Sequence, residues 1–208
     1  MINKRILITA LFSLFLSNAA LATIIPPNLA IDFRDAGWSG ANGSASWSVG
    51  ITTATAAGSG TALYQDSIDG LGVLTPGPES DEVELEEILH VAFSGGAVLN
   101  GVWITDLFKA PDGGAPGTGE VGQYRIDGGS WVTFTANDLG QDDVNGELLV
   151  SFGGSTSMGT IEFRADPSVT VNNEFSVAGF VPEPGPLALL GISLVALSVS
   201  SLRRKKQV

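Results

Sequence analysis

The sequence predicts an all-β protein: a single β-sandwich of the jelly-roll type, preceded by a signal peptide and followed by a transmembrane helix. Three observations predict this class. Apolar and polar residues alternate with a period of two in many short segments. Breaks rich in Gly, Pro and Asp separate these segments. Within the body, residues 81–89 are the only competitor for a helix, and their apolar positions fit a period of 3.6 poorly.

The strand pattern is clearest in three segments, residues 130–135, 160–164 and 174–178. Further strands are predicted at residues 30–34, 44–53, 88–94, 98–107, 121–127 and 147–152. The tract 52–61, rich in Ala, Gly, Ser and Thr, predicts a strand that runs into a loop. Asp127-Gly128-Gly129 predicts a hairpin turn, because Asp and Gly tolerate the backbone angles of tight turns.

The first 22 residues have the three parts of a secretory signal. Lys4 and Arg5 form a charged start, residues 6–16 are apolar, and Ala20-Leu21-Ala22 provides the small residues of a cleavage site, Ala20 and Ala22. The sequence therefore predicts export, with a mature chain that begins near Thr23.

The other end of the chain predicts a short membrane span. Residues 187–202 contain no charge, and a helix of that length reaches about 24 Å. A bilayer core is roughly 30 Å thick. The basic tail 203–206 (Arg203, Arg204, Lys205 and Lys206) compensates by reaching the headgroups, and basic flanks stay on the cytoplasmic side. The body is therefore predicted to lie on the outer side.

A proline-rich segment, Val181-Pro182-Glu183-Pro184, lies just before this span. Proline fixes φ and lacks a backbone donor, so the triplet 182–184 is predicted to be extended and outside both sheet and helix. The order of Pro-Glu-Pro triplet (182–184), apolar run and basic tail resembles the PEP-CTERM sorting signal over residues 181–208. The resemblance implies export through the secretion machinery, an inner-membrane precursor, and processing by exosortase. It also implies release to the cell surface or extracellular matrix of a Gram-negative bacterium.

Charge limits the partners of the body, residues 23–180. The body contains 21 acidic residues against Arg34, Lys109, Arg125 and Arg164, which gives a net charge near −17. Such a field repels nucleic acid and anionic membrane surfaces. It is compatible with divalent cations and with plain solubility.

The body has the size of one domain. Its 158 residues are enough for a single core, and a second independent domain is not expected. The absence of cysteine excludes disulfides, iron–sulfur sites and a thiol nucleophile. Residues 66–108 loosely resemble galactose-binding-like sandwich domains, which supports the predicted sandwich more than it supports any ligand.

Catalytic candidates are few. His90 is the only histidine, and it lies in a predicted strand whose apolar residues face the other side. No Gly-x-Ser-x-Gly turn accompanies it. A pair of carboxylates could catalyse hydrolysis, but no spacing singles out a pair among so many acids. The sequence therefore predicts a protein that is not an enzyme.

Two kinds of binding site remain open. Calcium prefers oxygen ligands, and two acidic loops offer them: Asp66 and Asp69, and Asp142, Asp143 and Asn145. Sugars stack on aromatic rings, and Trp38 and Tyr64 lie in contexts typical of loops, unlike Trp103 and Trp131. No other cofactor is expected.

Three functions follow from these observations. The leading hypothesis is a non-enzymatic structural or adhesive protein of the surface or matrix, with exopolysaccharide as a partner. The second is a carbohydrate-binding module stabilised by calcium. The third is a secreted hydrolase that uses two carboxylates.

Overall fold

The computed structural model describes residues 29–74, 81–109, 119–138, 146–169 and 173–183. These residues confirm the all-β class, with almost no helix. The strands are β1 (Ile31–Asp32), β2 (Ser46–Val49), β3 (Thr52–Gly58), β4 (Ala62–Asp66), β5 (Gly70–Leu74), β6 (Glu87–Thr105), β7 (Val121–Ile126), β8 (Val132–Thr135), β9 (Leu148–Ala165) and β10 (Ser176–Pro182). One short 3-10 helix, Ala36–Ala41, lies between β1 and β2.

The predicted signal peptide, transmembrane segment and basic tail lie outside the described residues. Within the described ranges, no helix has the length and apolar character needed to cross a bilayer.

The strands form one continuous antiparallel sheet in the order β4-β5-β10-β6-β9-β7-β8. The β2–β3 hairpin joins the edge of β6, and β1 joins β10. Strand β6 pairs with β9 along one edge. Along its other edge it pairs with β3 in its first half and with β10 in its second half. The two halves of β6 therefore belong to two different parts of the sheet.

Glycines bend the two long strands where these parts meet. Gly95 and Gly96 in β6 have φ of 85° and 81°, and Gly153 and Gly154 in β9 have φ of 80° and 144°. Such angles favour glycine because it lacks a Cβ. The β6–β9 register also shifts between Ala92 and Ala97. The sequence predicted two separate strands at each place, whereas the structure contains single strands that pass through a bend.

The bend lets one sheet enclose a core in a sandwich-like way. Phe180 of β10 is fully buried, and its ring centroid lies 5.4 Å from that of Phe93 in the first half of β6. It also lies 5.7 Å from the ring of Phe33. Farther along, Phe134 of β8 packs edge-on against Phe175, with the ring centroids 5.1 Å apart. Contacts between aromatic rings thus join the two parts of the sheet.

The start of the Pro-Glu-Pro segment corrects one prediction. Val181 and Pro182 are extended, but they lie inside β10, paired with Gly101 and Leu99 of β6. The prediction that the triplet lies outside the sheet was wrong for Pro182. A register shift falls between Val181 and Pro182, and proline is tolerated at such irregular strand ends. Glu183 follows as an exposed residue, and Pro184 lies outside the described residues.

Candidate functional site: an acidic pocket where β10 begins

A cavity of about 780 Å³ opens at the end of the sheet where β10 begins. The β4–β5 turn, the end of β6 and the segment after β1 form its walls. Its lining residues are Asp32, Arg34, Asp35, Ser67, Ile68, Asp69, Thr105, Asp106, Phe108 and Glu147. Five of these side chains are carboxylates, so the cavity is an acidic pocket.

Local hydrogen bonds fix the β4–β5 turn that carries Asp69. The Asp66 Oδ1 atom accepts hydrogen bonds from the backbone N–H groups of Ile68, at 2.6 Å, and Asp69, at 3.4 Å. Gly70 closes the turn with φ of 115°, and a Cβ there would lie 2.3 Å from the Val177 carbonyl oxygen. The Thr105 hydroxyl donates to the Asp69 carbonyl oxygen at 2.6 Å. Together these contacts hold the turn against β6.

Asp69 and Asp106 face each other in the pocket. Both line the pocket, and their side chains lie close enough to interact. Burial, reinforced by the charges of Asp69 and Asp81, raises the pKa of Asp106 to about 7. Burial and the charge of Asp66 also raise the pKa of Asp69. Asp106 can therefore hold a proton near neutral pH.

Two more acids interact electrostatically with Asp106 of the pocket. The Glu82 Oε2 atom is buried without a hydrogen-bond partner, and burial, with the charges of Asp106 and Glu174, raises the pKa of Glu82 to about 10. Glu120 is 1% exposed and accepts a hydrogen bond from the Phe108 N–H. Burial outweighs this bond and raises the pKa of Glu120 to about 8.

We call these mutually repelling groups the acidic cluster; its members are Asp66, Asp69, Asp81, Glu82, Asp106, Glu120 and Glu174. Arg34 is the cation that lines the pocket, but it is bound to Asp32, with 2.8 Å between Nε and Oδ1 and 2.9 Å between Nη2 and Oδ2. Burial opposes the charge of Asp32, yet the bonds from Arg34 outweigh it and lower the pKa of Asp32.

The predicted calcium ligands are only partly described. Asp66 and Asp69 lie on the same turn, as predicted, but the Asp66 carboxylate already binds the backbone of that turn. Asp142, Asp143 and Asn145 lie outside the described residues. Over the part of the chain that the structure describes, no three acidic or histidine side chains are placed to hold one metal ion. Calcium binding stays a prediction.

The predicted sugar-binding aromatics have different environments. Trp38 was expected in a loop, but it lies in the 3-10 helix, is 2% exposed, and packs edge-on against Phe33 with 4.7 Å between ring centroids. We correct that prediction, because a ring buried on both faces offers no surface to a sugar. Tyr64 lies in β4 at the edge of the sheet rather than in a loop, and it is half-buried.

Trp131, which the sequence ranked below these two, is better placed for binding. It lies beside the outer face of β7 and β9, half-buried, with the Arg164 guanidinium carbon 4.0 Å and the Arg125 guanidinium carbon 4.6 Å from its ring centroid. Glu162 forms a salt bridge with Arg125, and Gln123 accepts a hydrogen bond from Arg164 at 2.9 Å. The indole is therefore held by cation–π contacts whose partners are themselves fixed. Only the pairing of strands distant in sequence reveals this arrangement.

His90 lies on the outer face of β6, as predicted. Leu89 and Val91 are buried on the opposite face, and His90 is opposite Thr55 of β3 and Glu162 of β9 in the sheet register.

The chain matches no family model, no curated protein and no solved structure.

Proposed function

We propose that this chain is an exported, non-enzymatic protein of the cell surface or extracellular matrix, with a structural or adhesive role linked to exopolysaccharide. Its body, residues 23–180, would be a single jelly-roll-like sandwich, and exosortase would process the Pro-Glu-Pro segment. The observation that carries this proposal is the position of that segment at the end of β10, directly before the apolar run and the basic tail.

The end of β10 defines where the chain can be cut without loss of the sheet. Strand β10 lies between β5 and β6 and supplies the buried residues Val177 and Phe180. All ten described strands end at or before Pro182, and Glu183 is exposed. Cleavage beyond the triplet would therefore remove no described strand, whereas cleavage before Val181 would shorten a central one.

The closeness of Asp69 and Asp106 makes this pair unsuited to glycoside hydrolysis. Catalytic carboxyl groups of glycosidases lie about 5–5.5 Å or 6.5–9.5 Å apart, which leaves room for the sugar or for water. The side chains of Asp69 and Asp106 lie close enough to interact directly, so this pair does not have that spacing. Glu82, which is half-buried, and the buried Glu120 do not line the pocket.

The proposal is tested by fractionating a bacterial host with and without exosortase. We expect the protein to leave the inner membrane only when exosortase is present. An inner-membrane location in both hosts would contradict processing, and the protein would then be a membrane-tethered domain.

Carbohydrate binding is the second candidate, and the position of Trp131 favours it. A half-buried indole held in place by two arginines offers a preorganised surface for stacking on a sugar ring. On a glycan and exopolysaccharide array, the Trp131→Ala variant should no longer bind the glycans that the unaltered protein binds. Trp47→Ala, which changes another partly exposed tryptophan on β2, is the matched control. Absence of binding by the unaltered protein would remove this candidate.

Calcium stabilisation belongs to this second candidate. If Asp66 and Asp69 contribute to a calcium site, removing calcium with a chelator should lower the melting temperature, because a bound ion stabilises the folded state only. Asp69→Asn should abolish the response. An unchanged transition in the unaltered protein would exclude calcium.

A further inference from the structure

The end of the molecule where β10 finishes is apolar. A groove of about 550 Å³ lies there between the 3-10 helix, the tip of the β2–β3 hairpin and the bend of β6. Three large hydrophobic side chains at or beside this groove face solvent: Ile51 is 53% exposed, Val98 48% and Trp47 36%. We call this region the apolar end and define it by Trp47, Val49, Ile51, Val98 and Leu99.

The apolar end is held in place by backbone contacts. Gly50 and Ile51 form the two-residue loop of the hairpin, with Gly50 at φ of 60°. The Ser94 N–H donates to the Ile51 carbonyl oxygen at 2.8 Å, which fixes the tip against the β6 bend. Loops of this kind usually carry Asn, Asp or Gly, so a branched apolar residue there is an unusual choice. Within the described fold, the Ile51 side chain stays largely exposed and therefore contributes little hydrophobic stabilisation.

The chain leaves the fold at the same place. Pro182 pairs with Leu99, which lines the groove, and Ala30 lines it as well. The predicted membrane span begins at Leu187, four residues after Glu183. Four residues reach at most about 14 Å. In a membrane-anchored chain, the apolar end therefore cannot lie far from the bilayer surface.

The acidic cluster lies at the opposite end of β10 from the apolar end. Glu174 of the acidic cluster comes just before β10, and Asp106 follows Thr105, which pairs with Ser176. From Ser176 to Pro182 the strand extends roughly 20 Å. Near the groove, Asp32 is bound to Arg34, Asp35 lines both the groove and the acidic pocket, and Glu183 is exposed. A bilayer at the apolar end would therefore lie far from the acidic cluster.

We propose that the apolar end is a lipid-contacting surface that rests on the bilayer while the chain is anchored. This inference rests on the proposed function, since it needs the membrane-anchored precursor. The partner is the interfacial region of a phospholipid bilayer, into which Ile51, Val98 and the edge of Trp47 insert. The acidic cluster then faces away from the membrane, and β10 lies roughly perpendicular to the bilayer surface.

The natural absence of cysteine makes the test direct. The full chain is reconstituted at one copy per phosphatidylcholine nanodisc, with a fluorophore on a single introduced cysteine. Ile51→Cys and Val98→Cys report on the apolar end. Ile68→Cys is the matched control, because Ile68 is an isoleucine that is 73% exposed beside the acidic pocket. Nitroxide groups on lipid headgroups quench fluorophores that touch the interface.

We expect strong quenching at positions 51 and 98 and none at 68. Equal quenching at all three positions, or none in a chain that stays anchored, would overturn the orientation but leave the proposed function intact. Shielding that appears only with two chains per disc would assign the surface to a second copy and also overturn it. Loss of the chain from the nanodiscs would contradict the anchored precursor itself, and this inference with it.

A second position near Val98 tests the same surface with a substitution that should not disturb folding. Ser157 is exposed and lies opposite Val98 in the β6–β9 register. Ser157→Cys removes no hydrophobic side chain, and we expect it to be quenched like position 98. If Ser157→Cys is not quenched while the melting temperature is unchanged, the lipid-contacting surface is refuted.

Discussion

The two ends of β10 carry different kinds of destabilising side chains. At the end where β10 begins, acidic side chains are buried, repel each other and hold protons, as Glu82 and Glu120 show. At the end where it finishes, hydrophobic side chains such as Ile51 and Val98 remain in solvent. Neither arrangement favours folding, because burying charge and exposing apolar surface both oppose it. The core between them must supply the stability, which leaves both ends free for other roles.

The largest effect should come from removing that core. Phe180→Ala deletes a fully buried ring that contacts Phe33 and Phe93, and such truncations cost about 3–5 kcal/mol. We expect a much lower melting temperature in a single transition, detected alike by circular dichroism and tryptophan fluorescence. Ile68→Ala, at an exposed site, is the control and should change little. Two separate transitions would show that the ends unfold independently.

The acidic end should respond to pH. Asp106, Glu120 and Glu82 keep their protons up to pKa values of about 7, 8 and 10 in the folded chain. In the unfolded chain, such groups lose their protons near pH 4. The folded state therefore holds more protons between these limits, and the free energy of unfolding should fall as pH rises. Below about pH 4 the trend should reverse, because Asp32, with its lowered pKa, loses its bonds to Arg34.

Glu82→Gln isolates the largest part of this response. The amide needs no proton to be neutral, so the variant should be more stable by on the order of 2 kcal/mol at pH 7 and by little near pH 4.5. Melting curves across this range measure both values. Glu86→Gln, at an exposed position, should show no such pattern. A destabilised Glu82→Gln at pH 7 would mean that the carboxylate is charged and has a partner.

The smallest effect is expected at the apolar end. Ile51→Ser removes an exposed side chain and should change stability by less than about 0.5 kcal/mol in the full chain in detergent. A loss of stability several times larger would show that the Ile51 side chain supports the hairpin. The apolar end would then contribute to folding, unlike the end we describe.

Much of the sheet could be predicted because alternating apolar and polar residues indicate a strand with one buried face. The Asp127-Gly128-Gly129 turn does join β7 to β8, with positive φ at Asp127 and Gly128. The tract 52–61 does hold a strand that runs into a loop. Strands β4 and β5 were missed because β5, Gly70–Leu74, is buried on both faces and reads Gly-Leu-Gly-Val-Leu without alternation. Gly72 has no room for a Cβ, which would lie 1.9 Å from the Asp81 carbonyl oxygen.

The sites were harder to predict. The turn that carries Asp66 and Asp69 was recognised, because Asp and Gly mark turns. Its contact with Asp106 could not be foreseen, since it depends on pairing between strands far apart in sequence. Trp38 and Trp131 show the same limit: each has small polar neighbours along the chain, yet one ring is buried against Phe33 and the other lies beside two arginines.

We propose that β10 completes the folded body and that the chain beyond it serves as a removable anchor. The intact mass of the protein recovered from a host that contains exosortase tests this directly. We expect a mature chain that begins near Thr23 and ends after Pro182, with the apolar run and basic tail removed. A mature chain that retains Arg203 and Arg204, or that ends before Val181, would contradict it.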